Sequence, residues 1–214
     1  MNKTWIYFVL DESGSMERYW TDTISGHNAY LKGLQAETRV PMEYTLQKFG
    51  THIRGNHELI VDRVPITRVA PLSKLNYRPN GGTPLFDATM SAIADIQRRK
   101  AKDDRIVLVI LTDGEENQSR EFTYERVGAA ISAAQADGWA IVFLGANFDA
   151  WNFAGKISLN RNLVQRFEQD KTVAVFKALA VCTVTYAVEP DRTADEFWDA
   201  TDATRFGGKN RTTY

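Results

Sequence analysis

The sequence predicts an α/β protein: a doubly wound, mostly parallel sheet of about six strands, flanked by helices, with one antiparallel edge strand. Three observations predict it. Continuous apolar runs such as Trp5–Leu10, Ile106–Leu111 and Trp139–Leu144 read as strands buried on both faces. Between them lie segments whose apolar residues recur at helical spacing, and that alternation marks a parallel sheet wound by helices. Polar or glycine-rich strings then follow the strands directly, where an open sheet of this kind binds ligands.

Taken in order, Trp5-Ile6-Tyr7-Phe8-Val9-Leu10 is the first strand, and Ile24, Leu31 and Leu34 give the first helix, which ends before Pro41. Val40–Phe49 and Thr51–Val61 are two extended runs around Gly50, and so short a connection predicts an antiparallel hairpin. Residues from Pro65 to Pro79 carry three prolines and no sustained period. Leu85, Ala88, Ala92, Ile93 and Ile96 form a helix face, and Ile106–Leu111 is the clearest buried strand. Tyr124, Val127, Ile131 and Ala134 form another helical stripe, followed by the strand Trp139–Leu144. Leu163–Phe167 is the candidate last strand, and a helix follows from about Asp170 to Ala187. Ordinary burial of its apolar residues is favoured over a partner-facing surface. The expected domain is residues 1–188. Residues 189–214 read as an extension or flexible tail, with only Phe197, Trp198 and Phe206 to bury.

Composition narrows the function classes. With 26 basic and 27 acidic residues there is no electrostatic case for nucleic acid or an anionic membrane. No apolar run reaches the roughly 18 residues that a membrane helix needs. A strand begins within five residues of Met1, with no charged-then-apolar leader before it. The single cysteine, Cys182, lies among valines and threonine and reads as a packed thiol in a reducing compartment. A cytoplasmic protein is the expectation.

The chemistry lies in three loops. Asp11, Ser13 and Ser15 leave the first strand with alternate oxygens that can converge on a hard cation, and Gly14 allows the loop to curl. Such oxygen ligands suit magnesium or manganese better than zinc. Asp113 follows the Ile106–Leu111 strand, and Gly81-Gly82-Thr83-Pro84 enters a helix with the Thr83 hydroxyl at its mouth. If the two strands are neighbours where strand order reverses, all three loops open into one crevice. Each piece has an ordinary alternative. Thr83 before Pro84 is a good helix N-cap, Asp113-Gly114 is a common turn, and Ser13 and Ser15 could cap the next helix. Only their joint occurrence at three strand ends sets the metal reading against these alternatives.

The arrangement of these loops closely resembles the von Willebrand factor type A family, over roughly residues 1 to 187. The family's metal-ion-dependent adhesion site takes Asp-x-Ser-x-Ser, a threonine and an aspartate from three loops, which map onto Asp11, Ser13, Ser15, Thr83 and Asp113. Gly82-Thr83-Pro84-Leu85, Thr112-Asp113-Gly114-Glu115-Glu116-Asn117 and Phe143–Ala150 are similar to a stand-alone bacterial and phage branch. The resemblance implies Mg2+, with Mn2+ also accepted, held for a carboxylate from a partner protein. It implies a non-enzymatic adaptor or assembly factor.

Two rivals remain at this level. A Mg2+-dependent phosphohydrolase would use Asp11 as nucleophile, but Ser13 stands where such enzymes place a second aspartate, and no histidine or lysine falls in the loops. A structural protein with a vestigial metal site is the other. Glu12, Glu115 and Glu116 read as a solvated acidic rim; His27, His52 and His57 read as surface or packing residues. Tyr19 and Trp20 are candidate partner contacts. Glu196, Asp199 or Asp202 could supply a carboxylate to a second copy, which leaves a homo-oligomer open. Gly207-Gly208-Lys209 lacks the pattern of a phosphate loop.

Overall fold

The computed structural model describes residues 3–113, 116–145, 164–166 and 171–198. The elements run β1 (Thr4–Asp11), α1 (Trp20–Gln35), β2 (Met42–Phe49), β3 (His57–Pro65), α2 (Leu85–Arg99), β4 (Arg105–Thr112), α3 (Tyr124–Ala136), β5 (Ala140–Gly145), β6 (Val164–Arg166) and α4 (Thr172–Val188). Short 3-10 turns cover Gly14–Tyr19 and Ile66–Arg68. The sheet has six strands in the order β3-β2-β1-β4-β5-β6, and only β2 with β3 is antiparallel. The expected fold class therefore holds, down to the antiparallel edge strand.

Side chains alternate across β1 and define the two layers. Phe8 packs edge-on to His27 of α1 and stacks on Phe176 of α4. Tyr7, on the other face, donates its hydroxyl to Gln47, whose amide in turn donates to Ala88 O of α2. β1 is buried along its whole length, and Phe143 and Trp139 around β5 are buried as well. On the α1–α4 side, Gly26 and Gly33 let the helices approach closely. A Cβ at Gly26 would lie 2.4 Å from Phe176 Cδ2, and one at Gly33 would lie 2.6 Å from Ala180 Cβ. α4 is rich in valine and threonine, poor helix formers on their own, so burial of Phe176, Leu179, Cys182 and Tyr186 supplies its stability.

The hairpin and the stretch that follows it differ from expectation. The β2–β3 hairpin turns through residues 50–56, and β3 runs on to Pro65 instead of starting at Thr51. Polar Thr51-His52-Ile53-Arg54-Gly55-Asn56 forms the turn, with positive φ at Gly55 and Asn56. The irregular 65–79 stretch buries Ile66, Val69, Leu72 and Tyr77, so it belongs to the core although no periodicity announces it.

Beyond α4, Phe197 is fully buried with its ring 5.5 Å from that of Tyr186. Arg105 donates to the carbonyls of Glu189 and Pro190 and lies over the Tyr186 ring. Residues 199–214, with Asp199, Asp202, Phe206 and Gly207-Gly208-Lys209, lie outside the described residues, as do Gly114, Glu115 and Ala146–Leu163. Among the described residues no helix is long and apolar enough to cross a membrane.

Candidate metal centre

β1 pairs with β2 on one side and with β4 on the other, so strand order reverses between β1 and β4. The carboxyl ends of these two strands bring the first and third loops together. Asp11 closes β1 and is fully buried. One of its carboxylate oxygens accepts the Ser13 backbone N–H at 2.7 Å, and the other accepts the Thr112 hydroxyl at 2.6 Å. Thr112 is the last residue of β4. Burial pushes the Asp11 carboxyl up to about 7, against the hydrogen bonds from Thr112 and Ser13, and nearby Asp113 adds to the rise.

From there a chain of oxygens continues outward. The Ser13 and Ser15 hydroxyls are 3.1 Å apart, and Ser15 donates to Asp113 Oδ1 at 2.7 Å. The Arg18 guanidinium sits 3.3 Å from Asp113 Oδ2. The Ser13 hydroxyl makes no side-chain cap bond to the 3-10 turn that follows it, and the helix after that turn starts from Tyr19, not from either serine. Gly14 does not use a left-handed φ; its N–H donates to Gly81 O at 2.9 Å, which docks the second loop on the first. Asn80 N–H donates to Glu12 O at 2.8 Å and adds a second tie.

The special dihedral lies in the second loop. Gly81 has φ of 73°, and a Cβ there would meet Thr51 Oγ1 at 2.6 Å. Thr83 is buried and is fixed to the third loop from both sides: its N–H donates to Asn117 Oδ1 at 3.0 Å, and Asn117 N–H donates to Thr83 O at 3.2 Å. α2 begins at Leu85 without a side-chain cap bond from the preceding Pro84. The expected capping role falls to Glu116, whose carboxylate accepts Phe86 N–H at 2.9 Å and the Ser119 hydroxyl at 2.7 Å.

The acidic rim is therefore a correction. Glu116 closes a helix start, and Glu12 is only 2% exposed, held by Lys48 at 3.0 Å, by His52 at 3.2 Å and by the Arg78 backbone N–H. Glu115 lies outside the described residues. Four supporting residues escaped the sequence reading: Thr112, Tyr77, Lys48 and Asn117. Tyr77 donates its hydroxyl to Asp11 O at 2.8 Å, and its own carbonyl accepts the Trp20 indole N–H. Only Thr112 carried a signal, a hydroxyl at the last position of a buried apolar strand.

The remaining candidates have local roles. His27 is buried against the Tyr44 hydroxyl at 2.8 Å, and His57 lies 2.9 Å from Ser91 Oγ. Trp20 is half-buried with Lys74 over its ring. Cys182 is a buried free thiol. The Glu196 carboxylate accepts from the Thr193 N–H and hydroxyl of its own chain.

Among the described residues no group of three or more His, Cys, Asp or Glu could hold a metal ion. Asp11, Ser13, Ser15 and Asp113 stand together at the β1–β4 end, and Thr83 is buried in the second loop docked beside them. Neutral hydroxyls with two carboxylates are a different donor set, one that would suit a hard oxygen-preferring cation. A buried carboxyl with a raised pKa and a hydroxyl–carboxylate pair at 2.7 Å are what such an ion would separate and neutralise.

Comparison with known proteins agrees with the architecture. Residues 6–179 match the von Willebrand factor type A domain model. No curated protein matches the chain by sequence. Among solved structures, the open conformation of the pilus adhesin SpaC from Lactobacillus rhamnosus GG superposes with TM-score 0.69 at 14% identity, over 87% of this chain and 30% of that one. Manganese-loaded TRAP protein from Plasmodium vivax gives TM-score 0.55 at 15% identity, over 82% and 74% of the two chains. Mussel byssus proximal thread matrix protein 1, in a form whose adhesion-site motif is occupied by zinc, gives 0.54 at 12%, over 84% and 48%. At these identities the likeness is one of fold, and the chain spans 30% of the adhesin's length. With the family model covering most of the sequence, the chain belongs to the von Willebrand factor type A domain family.

Proposed function

We propose that the chain is a metal-dependent protein-binding module without catalytic activity, acting as an adaptor or assembly factor in a bacterial or phage system. Ser13, Ser15 and Thr83 would hold Mg2+ through their hydroxyls, and Asp11 and Asp113 would reach it directly or through water. The bound ion supplies an electrophilic position for a carboxylate of a partner protein. Because three of the five ligands are neutral, the incoming Asp or Glu gains more than it would at an all-carboxylate site. Manganese and zinc accompany two of the fold relatives, and the oxygen donors here favour magnesium or manganese.

The observation that carries this reading is the Ser13–Ser15–Asp113 contact chain across the β1–β4 junction, with buried Asp11 behind it. This chain's own residues also argue against the phosphohydrolase. Both Asp11 oxygens already accept hydrogen bonds, from Ser13 and Thr112, and the position two residues later is a serine. The test is capture of partners from a lysate of the source cell on the immobilised chain, in Mg2+ and in EDTA. A protein retained only in Mg2+ and lost with Asp113→Ala supports the reading. Retention indifferent to both changes overturns it.

A further inference from the structure

Beside the metal loops lies a cleft of about 530 Å3, walled by the β2–β3 turn and the residues leading up to Gly81. Glu12 lines it, between Asp11 and Ser13 in sequence, so the cleft borders the candidate metal site. Its two carboxylates, Glu12 and Glu58, are both paired with Lys48, at 3.0 and 2.9 Å. Arg54 and Arg78 line the same cleft, are exposed, and make no ion pair among the described residues. Arg78 Nε donates to Lys74 O at 3.1 Å, which anchors the guanidinium and leaves its terminal nitrogens for another acceptor. Leu75, 83% exposed, stands in the same wall with half-buried Ile53.

We propose that this cleft receives an acidic, extended segment of the partner protein, continuous with the carboxylate that completes the metal site. This rests on the reading of the metal site given above. Arg54 and Arg78 take further carboxylates of the segment through their planar forks, and Leu75 with Ile53 covers an apolar side chain between them. Lys48 bridges both local acids and offsets one of their two charges, so Arg54 and Arg78 leave the cleft net positive and stand as its guanidiniums free of a carboxylate partner among the described residues. A nucleic-acid strand fits less well, because no Phe, Tyr or Trp lines the cleft to stack a base.

The experiment uses fluorescein-labelled hexaglutamate and a matched hexapeptide with one glutamate among glycines, read by anisotropy. Both are titrated with the wild-type chain and with Arg54→Glu/Arg78→Glu, in Mg2+ and in EDTA. Two exposed pairs should give the wild type a preference of roughly 10-fold for hexaglutamate. The double variant should lose that preference, because its two new carboxylates repel the additional glutamates, and its affinity for hexaglutamate should fall at least roughly 10-fold below that of the wild type. Equal binding of the two peptides by the wild type, or a preference that survives in the double variant, overturns the proposal. A preference that depends on the arginines yet is indifferent to EDTA supports the cleft and overturns the metal reading. Absence of binding to either peptide overturns both. Tighter binding of a labelled hexathymidylate overturns the choice of an acidic protein segment.

Discussion

The α1–α4 face and the residues closing the carboxyl ends of β1 and β4 are both buried and are built from opposite materials. On the helical face Phe8, Phe176, Leu179 and Tyr30 are fully buried, and the glycines of α1 admit the neighbouring helix. At the strand ends Asp11, Ser13, Thr83, Thr112 and Asp113 are almost as inaccessible, yet every one brings a polar group. The first region gains stability from what it hides. The second holds a carboxyl whose burial raises its pKa, so its ionised form works against folding, a cost that the proposed cation would offset. The difference teaches where stability and function separate, and substitutions can test whether they do.

The largest effect should come from the helical face. Phe176→Ala removes a fully buried ring stacked on Phe8 and should cost about 3–5 kcal/mol in denaturant unfolding, with Mg2+ affinity unchanged. A loss of metal affinity in the folded variant would break the separation of the two regions.

The next is a pH effect on the same face. Burial holds His27 down to about 4, well below the ordinary histidine value of about 6.5. Above that ordinary value the imidazole is neutral in both states. As pH falls from about 6.5 towards 4, the unfolded chain takes up a proton that the folded chain refuses, so stability is lost on the order of 3 kcal/mol. Asp11 acts with the opposite sign in the same window, since the folded state binds its proton first. Comparing wild type with His27→Gln in EDTA, by chemical unfolding at several pH values, isolates the histidine. The variant should lose less stability on acidification.

A smaller effect, opposite in sign, belongs to the strand ends. Asp11→Asn removes the buried charge and should raise metal-free stability at pH 8 by about 1–3 kcal/mol, while abolishing the stabilisation by added Mg2+. Thermal unfolding with and without Mg2+ reads both. A variant that is less stable without metal, yet still gains from Mg2+, would mean that Asp11 serves the fold.

How far these regions were legible follows from how locally each is encoded. β1, β4 and β5 stand out as apolar runs because both faces of the sheet are covered, which leaves no alternation to misread. The hairpin was misplaced because polar Thr51-His52 continues into extended residues with nothing local to mark where pairing begins. Asp11, Ser13 and Ser15 were readable as a tight string, and Asp113 by its place after a strong strand. Glu12 was not, because Lys48, His52 and the Arg78 backbone lie 36, 40 and 66 residues away and together turn an apparent surface acid into a buried one. Glu116 was misread for the same reason: the helix start that it closes lies 30 residues earlier.

The most direct measurement is isothermal titration of Mg2+ into the metal-free wild-type chain and into Asp113→Ala, with circular dichroism on both. The account predicts a single saturable site in the wild type, no detectable binding in the variant, and matching dichroism spectra. Absence of a saturable site in the wild type, or equal affinity in the variant, would contradict it.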